Sequence, residues 1–177
     1  VRFSTFLLLA ACGAAACTGG ATAQELGVPE AVSGGTVDWN GFYAGLGAEF
    51  KDVTGPGGGK DQIVYGTLYA GANFTERGWL FGAEAFGSTY RDLGGFPSSI
   101  EIGAEARVGL LVSEAMALYL SAGAAYDFQY AWSAIAGGGV EAMIAPGISI
   151  DVEYQHGWDL DAPYTSNQLL SSALFHF

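Results

Sequence analysis

From residue 40 onward, apolar side chains recur at every second position, segment after segment. Residues 40–51 set Phe42, Ala44, Leu46, Ala48 and Phe50 against Tyr43, Gly45, Gly47, Glu49 and Lys51. A two-residue period places alternate side chains on opposite faces of a β-strand. The plainest case is the fourth segment, where Ile100, Ile102, Ala104, Ala106, Val108 and Leu110 oppose Glu101, Gly103, Glu105, Arg107 and Gly109. Comparable alternation covers a third segment from Trp79, a fifth after Ser113-Glu114-Ala115, a sixth over 134–144, a seventh from Ile148 and an eighth over 167–177. In the second, residues 62–72, both faces are partly apolar and the facing stays open.

Each segment has roughly the 9–11 residues with which a tilted strand crosses a bilayer. Connections after the second, fourth and sixth segments are short, whereas 52–60, 91–98 and 157–166 are longer. The pattern predicts an all-β fold, a closed eight-stranded antiparallel transmembrane β-barrel of up-and-down topology, with short turns in the periplasm and longer loops outside.

A soluble barrel would alternate too, so the choice rests on the second face. Water would favour Lys, Thr and Arg there, yet that face carries mainly glycine and acids, and the chain has only Lys51 and Lys60 as lysines. Its 28 glycines suit a crowded interior, such as the lumen of an eight-stranded barrel. The apolar face then meets lipid, with Trp39, Phe42, Trp79, Tyr126, Phe128, Trp132, Trp158, Phe175 and Phe177 expected at the interfaces.

Residues 1–23 open with Arg2, continue through an apolar stretch centred on 6–16 and end Ala21-Thr22-Ala23. The stretch is shorter than the ~20 residues a spanning helix needs, and reads as an export signal. The organisation expected is a signal peptide at 1–23, a periplasmic lead-in at 24–38 and an outer-membrane barrel at 39–177. Cleavage after Ala23 removes both cysteines; Leu9-Ala10-Ala11-Cys12 resembles a lipoprotein processing box, and Cys17 a weaker one, so lipidation stays as the alternative. With 18 acids against 6 bases the chain repels phosphate backbones, which excludes nucleic acid as a partner.

Glu49, Glu84, Glu101, Glu105, Glu141, Asp151 and Glu153 share the inward face. Such acids could form a catalytic pair or a hard-metal site, but a hydrogen-bonded plug with Arg107, Tyr43 and Tyr119 is the simpler expectation. A symmetric register about 91–98 brings Glu84 opposite Glu105 and Gly82 opposite Arg107, with Gly82 leaving room for Arg107 to reach those carboxylates. His156 and His176 are the only histidines, and neither has a serine placed as in lipid-A deacylases. Residues 52–60 lack phosphate-loop spacing, and Asn73-Phe74-Thr75 matches a glycan acceptor only incidentally. No catalytic, cofactor-binding or metal-ligating residue is assigned, no cofactor is expected, and an enzyme is not expected.

Asp38-Trp39-Asn40-Gly41-Phe42-Tyr43-Ala44-Gly45, Gly82-Ala83-Glu84, Gly137-Gly138-Gly139-Val140-Glu141 and the ending Leu174-Phe175-His176-Phe177 together carry a resemblance. Over about residues 37–177 the chain resembles the small outer-membrane β-barrels of alphaproteobacteria, of surface-antigen and opacity-protein type. That resemblance implies the cell outer membrane as location, outer-membrane lipid as environment, and the barrel-assembly machinery as a partner that reads the last strand ending Phe177. The function expected is a structural or surface role in the envelope with a plugged lumen. A narrow porin-like channel for water or small ions, or an adhesin acting through its loops, is the alternative.

Overall fold

The computed structural model describes residues 38–90, 99–129 and 132–177. Eight strands follow one another: β1 (Gly41–Thr54), β2 (Lys60–Glu76), β3 (Trp79–Tyr90), β4 (Ser99–Ser113), β5 (Met116–Asp127), β6 (Trp132–Ala145), β7 (Ile148–Asp159) and β8 (Thr165–His176). Each pairs antiparallel with its neighbours in sequence, and β8 pairs with β1, so the sheet is a closed barrel. Closure is sealed where Phe177 N–H donates to Phe42 O at 2.9 Å and Phe42 N–H returns to Phe177 O at 3.2 Å. No strand edge is left to bare its backbone to lipid, which is the condition for a sheet to cross a bilayer.

Burial is inverted relative to a soluble protein. Leu46, Leu68 and Leu120 are 59%, 67% and 67% exposed on the outside, while Glu49, Glu105, Arg107 and Glu141 are 1%, 5%, 3% and 0% exposed within. In water each such leucine would forgo about 1.5–3 kcal/mol of burial, so the outer wall faces lipid. Aromatics sit towards the two ends of this wall: Tyr126 packs against Phe128 and Trp132 near the long-loop end, and Trp79 stacks on Phe81 near the short turns.

Local chemistry explains the turns. Between β2 and β3 the connection is Arg77-Gly78, with φ of 50° and 82°, the left-handed pair a two-residue hairpin requires. Pro146-Gly147 joins β6 to β7 with Gly147 at φ 71°.

Several boundaries differ from the sequence pattern. Asp52, Val53 and Thr54 pair with Gln62, Asp61 and Lys60, so the first loop shrinks from 52–60 to 55–59. Likewise β7 runs to Asp159 and β8 starts at Thr165, which cuts the last loop from 157–166 to 160–164. In β2, Val64, Leu68 and Phe74 face out, and Tyr65 and Tyr69 face in, which settles the facing that two partly apolar sides left open. Trp39 is a correction: it is 3% exposed and packs on Leu80 and Ala117 under the barrel instead of lying in the lipid interface. Its indole N–H finds a carbonyl there, a partner that hydrocarbon cannot offer. The expected signal, Cys12, Cys17, most of the lead-in, the 91–98 loop and Tyr130 lie outside the described residues.

Candidate functional site

Inward glycines make the lumen. Tyr43 lies directly opposite Gly71, Tyr119 opposite Gly139 and Phe86 opposite Gly103 in the strand register. A Cβ at any of these three glycines would stand closer than 3.0 Å to the facing ring. Each ring therefore lies over the glycine of its partner strand, in space that a side chain there would fill.

Around those rings the charged groups close a layer. The Arg107 guanidinium stacks on Tyr119 with its carbon 3.8 Å from the ring centroid. Its Nη2 is 3.1 Å from Glu141 Oε2 and 3.5 Å from Asp151 Oδ2, and its Nη1 is 3.7 Å from Glu84 Oε2. Nη1 also donates to Tyr43 Oη at 3.1 Å, and Tyr43 in turn donates to Glu84 at 2.7 Å. Tyr119 Oη lies 2.6 Å from Asp151 and 3.0 Å from Glu153, to which Ser121 also donates. Gln155 Nε2 bridges Glu105 at 2.7 Å and Glu153 at 3.1 Å. Below this layer, Trp39 sits at the short-turn end, its indole N–H donating to Glu114 O at 2.9 Å and its ring in a T-shaped contact with His176. At the approach to β1, the backbone and side-chain N–H groups of Asn40 hold the Asp38 carboxyl below its ordinary pKa.

All seven inward acids are buried as the alternation predicts, and Glu84 pairs with Glu105 and Gly82 with Arg107 in the register. The partners differ in part. Arg107 makes its shorter contacts across the lumen, to Glu141 on β6 and Asp151 on β7, and Glu105 turns to Gln155 instead. Space at Gly82 is taken chiefly by Asn73, whose Oδ1 would be 2.5 Å from a Cβ there, against 3.5 Å for Arg107 Cβ.

Among the described residues neither histidine is held in a serine–histidine–acid relay. His156 faces outward, its Nδ1 3.0 Å from Asn167 Oδ1, which also accepts from Tyr154 at 2.6 Å. His176 Nε2 is 2.9 Å from Ser149 Oγ and 3.1 Å from Glu141, and Ser149 donates to that same Glu141 at 2.6 Å. Acid and serine thus meet one imidazole nitrogen, whereas a relay needs them on opposite ones. The serine and the acid are both 0% exposed. Among the described residues no group of three or more His, Cys, Asp or Glu is placed to hold a metal ion.

At the long-loop end the lumen opens into a cavity of about 360 Å³. Its wall includes Lys51, Tyr65, Glu101, Asp127, Asp161 and Tyr164. Lys51 Nζ is 2.6 Å from Glu101 Oε2, both side chains nearly buried, and 5.4 Å from the Tyr65 ring centroid. Gly55 lies against the Tyr164 ring, so the β1–β2 and β7–β8 loops meet along one side. The Lys51–Glu101 pair was not singled out by sequence reasoning; the inward parity of both residues was the available signal.

The chain matches no protein-family model and no curated protein. Among solved structures it is similar to Ail, the attachment invasion locus protein of Yersinia pestis, with a TM-score of 0.58 at 18% identity over 78% of this chain and 99% of that one. Neisserial surface protein A is similar at a TM-score of 0.52 and 14% identity, over 77% of this chain and 97% of that one. Ail in complex with the heparin analogue sucrose octasulfate gives 0.55 at 14% identity, over 78% and 99%. At identities this low the likeness shows the fold alone: a small, closed eight-stranded transmembrane β-barrel like those of these outer-membrane proteins. The barrels compared come from Neisseria and Yersinia and not from alphaproteobacteria, so they bear on the architecture and leave that narrower attribution with the sequence motifs.

Proposed function

We propose that this protein is a non-enzymatic envelope barrel whose lumen is closed to solutes and whose outer loops face the cell exterior. The observation that carries this reading is the stack of two barriers, the Arg107 layer fixed to β3, β6 and β7, and Trp39 seated beneath it. A guanidinium bound to several acids and an aromatic ring is costly to move, since each carboxylate it leaves is stranded in a water-poor interior. Liposome swelling with small neutral sugars is the test: vesicles carrying the protein should swell no faster than empty ones, and sugar-dependent swelling refutes the closed lumen.

A surface role follows the motif resemblance to surface-antigen and opacity-type barrels of alphaproteobacteria. Phe175 and Phe177, pointing outward at the end of the strand that closes the barrel, support recognition of that strand by the barrel-assembly machinery. A non-enzymatic reading is supported by the buried Ser149–His176–Glu141 contact and by His156 lying against the Asn167 amide, with no acid or serine on its ring among the described residues.

Loop-mediated binding is a second reading, favoured by the cavity at the long-loop end. Ail has been solved with a polyanion, but the cavity here is walled by carboxylates, so an anionic ligand does not carry over.

A further inference from the structure

We propose that the cavity at the long-loop end binds an organic cation, an ammonium or guanidinium on an apolar stem, with Glu101 and Asp127 as anchors and Tyr65 and Tyr164 as walls. Its volume of about 360 Å³ lies within the range of small-ligand sites. Val53, Ile63 and Ala162 supply apolar surface between the tyrosines, as a site for an alkyl stem needs.

The chain itself displays the chemistry. Lys51 already places an ammonium 2.6 Å from Glu101 and beside the Tyr65 ring, the carboxylate-plus-aromatic pairing that holds organic cations elsewhere. Lys51 thus occupies the anchor as an internal competitor. Glu49, the preceding inward residue of β1, is 1% exposed, and its Oε1 has no hydrogen-bond partner among the described residues. An incoming cation can take Glu101 while Lys51 turns to Glu49, so neither a lysine nor a carboxylate is stranded by the exchange. Among the described residues Asp127 is held by neutral donors, the Ser99 hydroxyl at 2.6 Å and the Gln129 N–H at 2.8 Å, which leaves its charge for a second cationic group. Asp61, Asp159 and Asp161 also line the wall, and their field draws cations inward and turns anions away.

A free polyamine and the basic side chains of a peptide share this chemistry. The site lies above the Arg107 layer, so its occupation is independent of whether the lumen below conducts. The full chain in nanodiscs of uncharged lipid, titrated calorimetrically at low salt with spermidine, trilysine and Mg²⁺, provides the test. Saturable binding of spermidine or trilysine, with Mg²⁺ weaker, is expected, and the tighter of the two identifies the source. Lys51→Gln should tighten binding by about fivefold or more, the scale of one displaced, partly screened ion pair. Lys60→Gln removes the same charge from the exposed start of β2 and should leave affinity unchanged. Asp127→Asn should weaken binding by a similar factor, and so should Glu101→Gln where it folds, heat-modifiable migration reporting the fold. The proposal is overturned by absence of saturable binding, by equal tightening in the two lysine variants, or by Asp127→Asn binding as wild type.

Discussion

With Arg107 cut back to alanine, Glu141 and Asp151 would face each other across β6 and β7, the first beside His176 and the Ser149 hydroxyl and the second beside the Tyr119 hydroxyl. Removing one partner of a buried ion pair costs about 3–5 kcal/mol, and denaturant unfolding in lipid vesicles should show a loss of that size for Arg107→Ala. Arg107→Lys should recover only part, because one ammonium cannot reach three acids and also stack on Tyr119. A variant as stable as wild type would mean that the lumen is not organised around this residue. Trp39 tests the lower barrier on a finer scale. Trp39→Phe keeps an aromatic body over Leu80 and Ala117 but loses the N–H donated to Glu114 O, so the expected cost is about 1 kcal/mol by the same unfolding assay.

At the scale of elements, the glycine-to-ring pairs give a contrast within one type of residue. Gly139→Val pushes methyl groups into the Tyr119 ring that carries Arg107, and overpacking of this kind costs about 1–3 kcal/mol. Gly87 lies on the outer wall with nothing within 4 Å of a Cβ, so Gly87→Val should change stability by less than about 0.5 kcal/mol. Equal losses would show that strand propensity, and not luminal space, sets the effect. The same elements show what alternation can and cannot carry. Over residues 42–51 of β1 and 100–110 of β4 it assigned the inward and outward residues, because parity along a strand is a local property of the backbone; Val53 and Ser99, at strand ends read as loop or left out, were missed. In β2 it was mute, because Ile63, Tyr65 and Tyr69 are apolar and inward, filling a lumen that polar parity assumes to be wet. Hairpin symmetry placed Gly82 opposite Arg107 correctly, yet missed Glu141 and Asp151 as the closer partners. Partners across a lumen depend on the stagger of all eight strands, which only closure fixes. Trp39 was misplaced for a related reason: an aromatic just before a strand suits an interface or a cap equally well, and only the neighbouring Leu80, Ala117 and Glu114 O decide between them.

At the scale of the whole barrel, a lipid-facing closed sheet carries an acidic mouth at the long-loop end, and under the proposed function its base is sealed. Its closed sheet should resist detergent until heated, so unboiled protein should run with a different mobility from boiled protein, and a single mobility would oppose a closed barrel. The claim that the seal is complete is tested most directly by single-channel recording of the purified chain in planar bilayers. The account predicts no steady conductance steps for the wild type, and steps appearing when Arg107→Ala and Trp39→Ala are combined, since both barriers are then gone. Stable, voltage-tolerant steps in the wild type would contradict it.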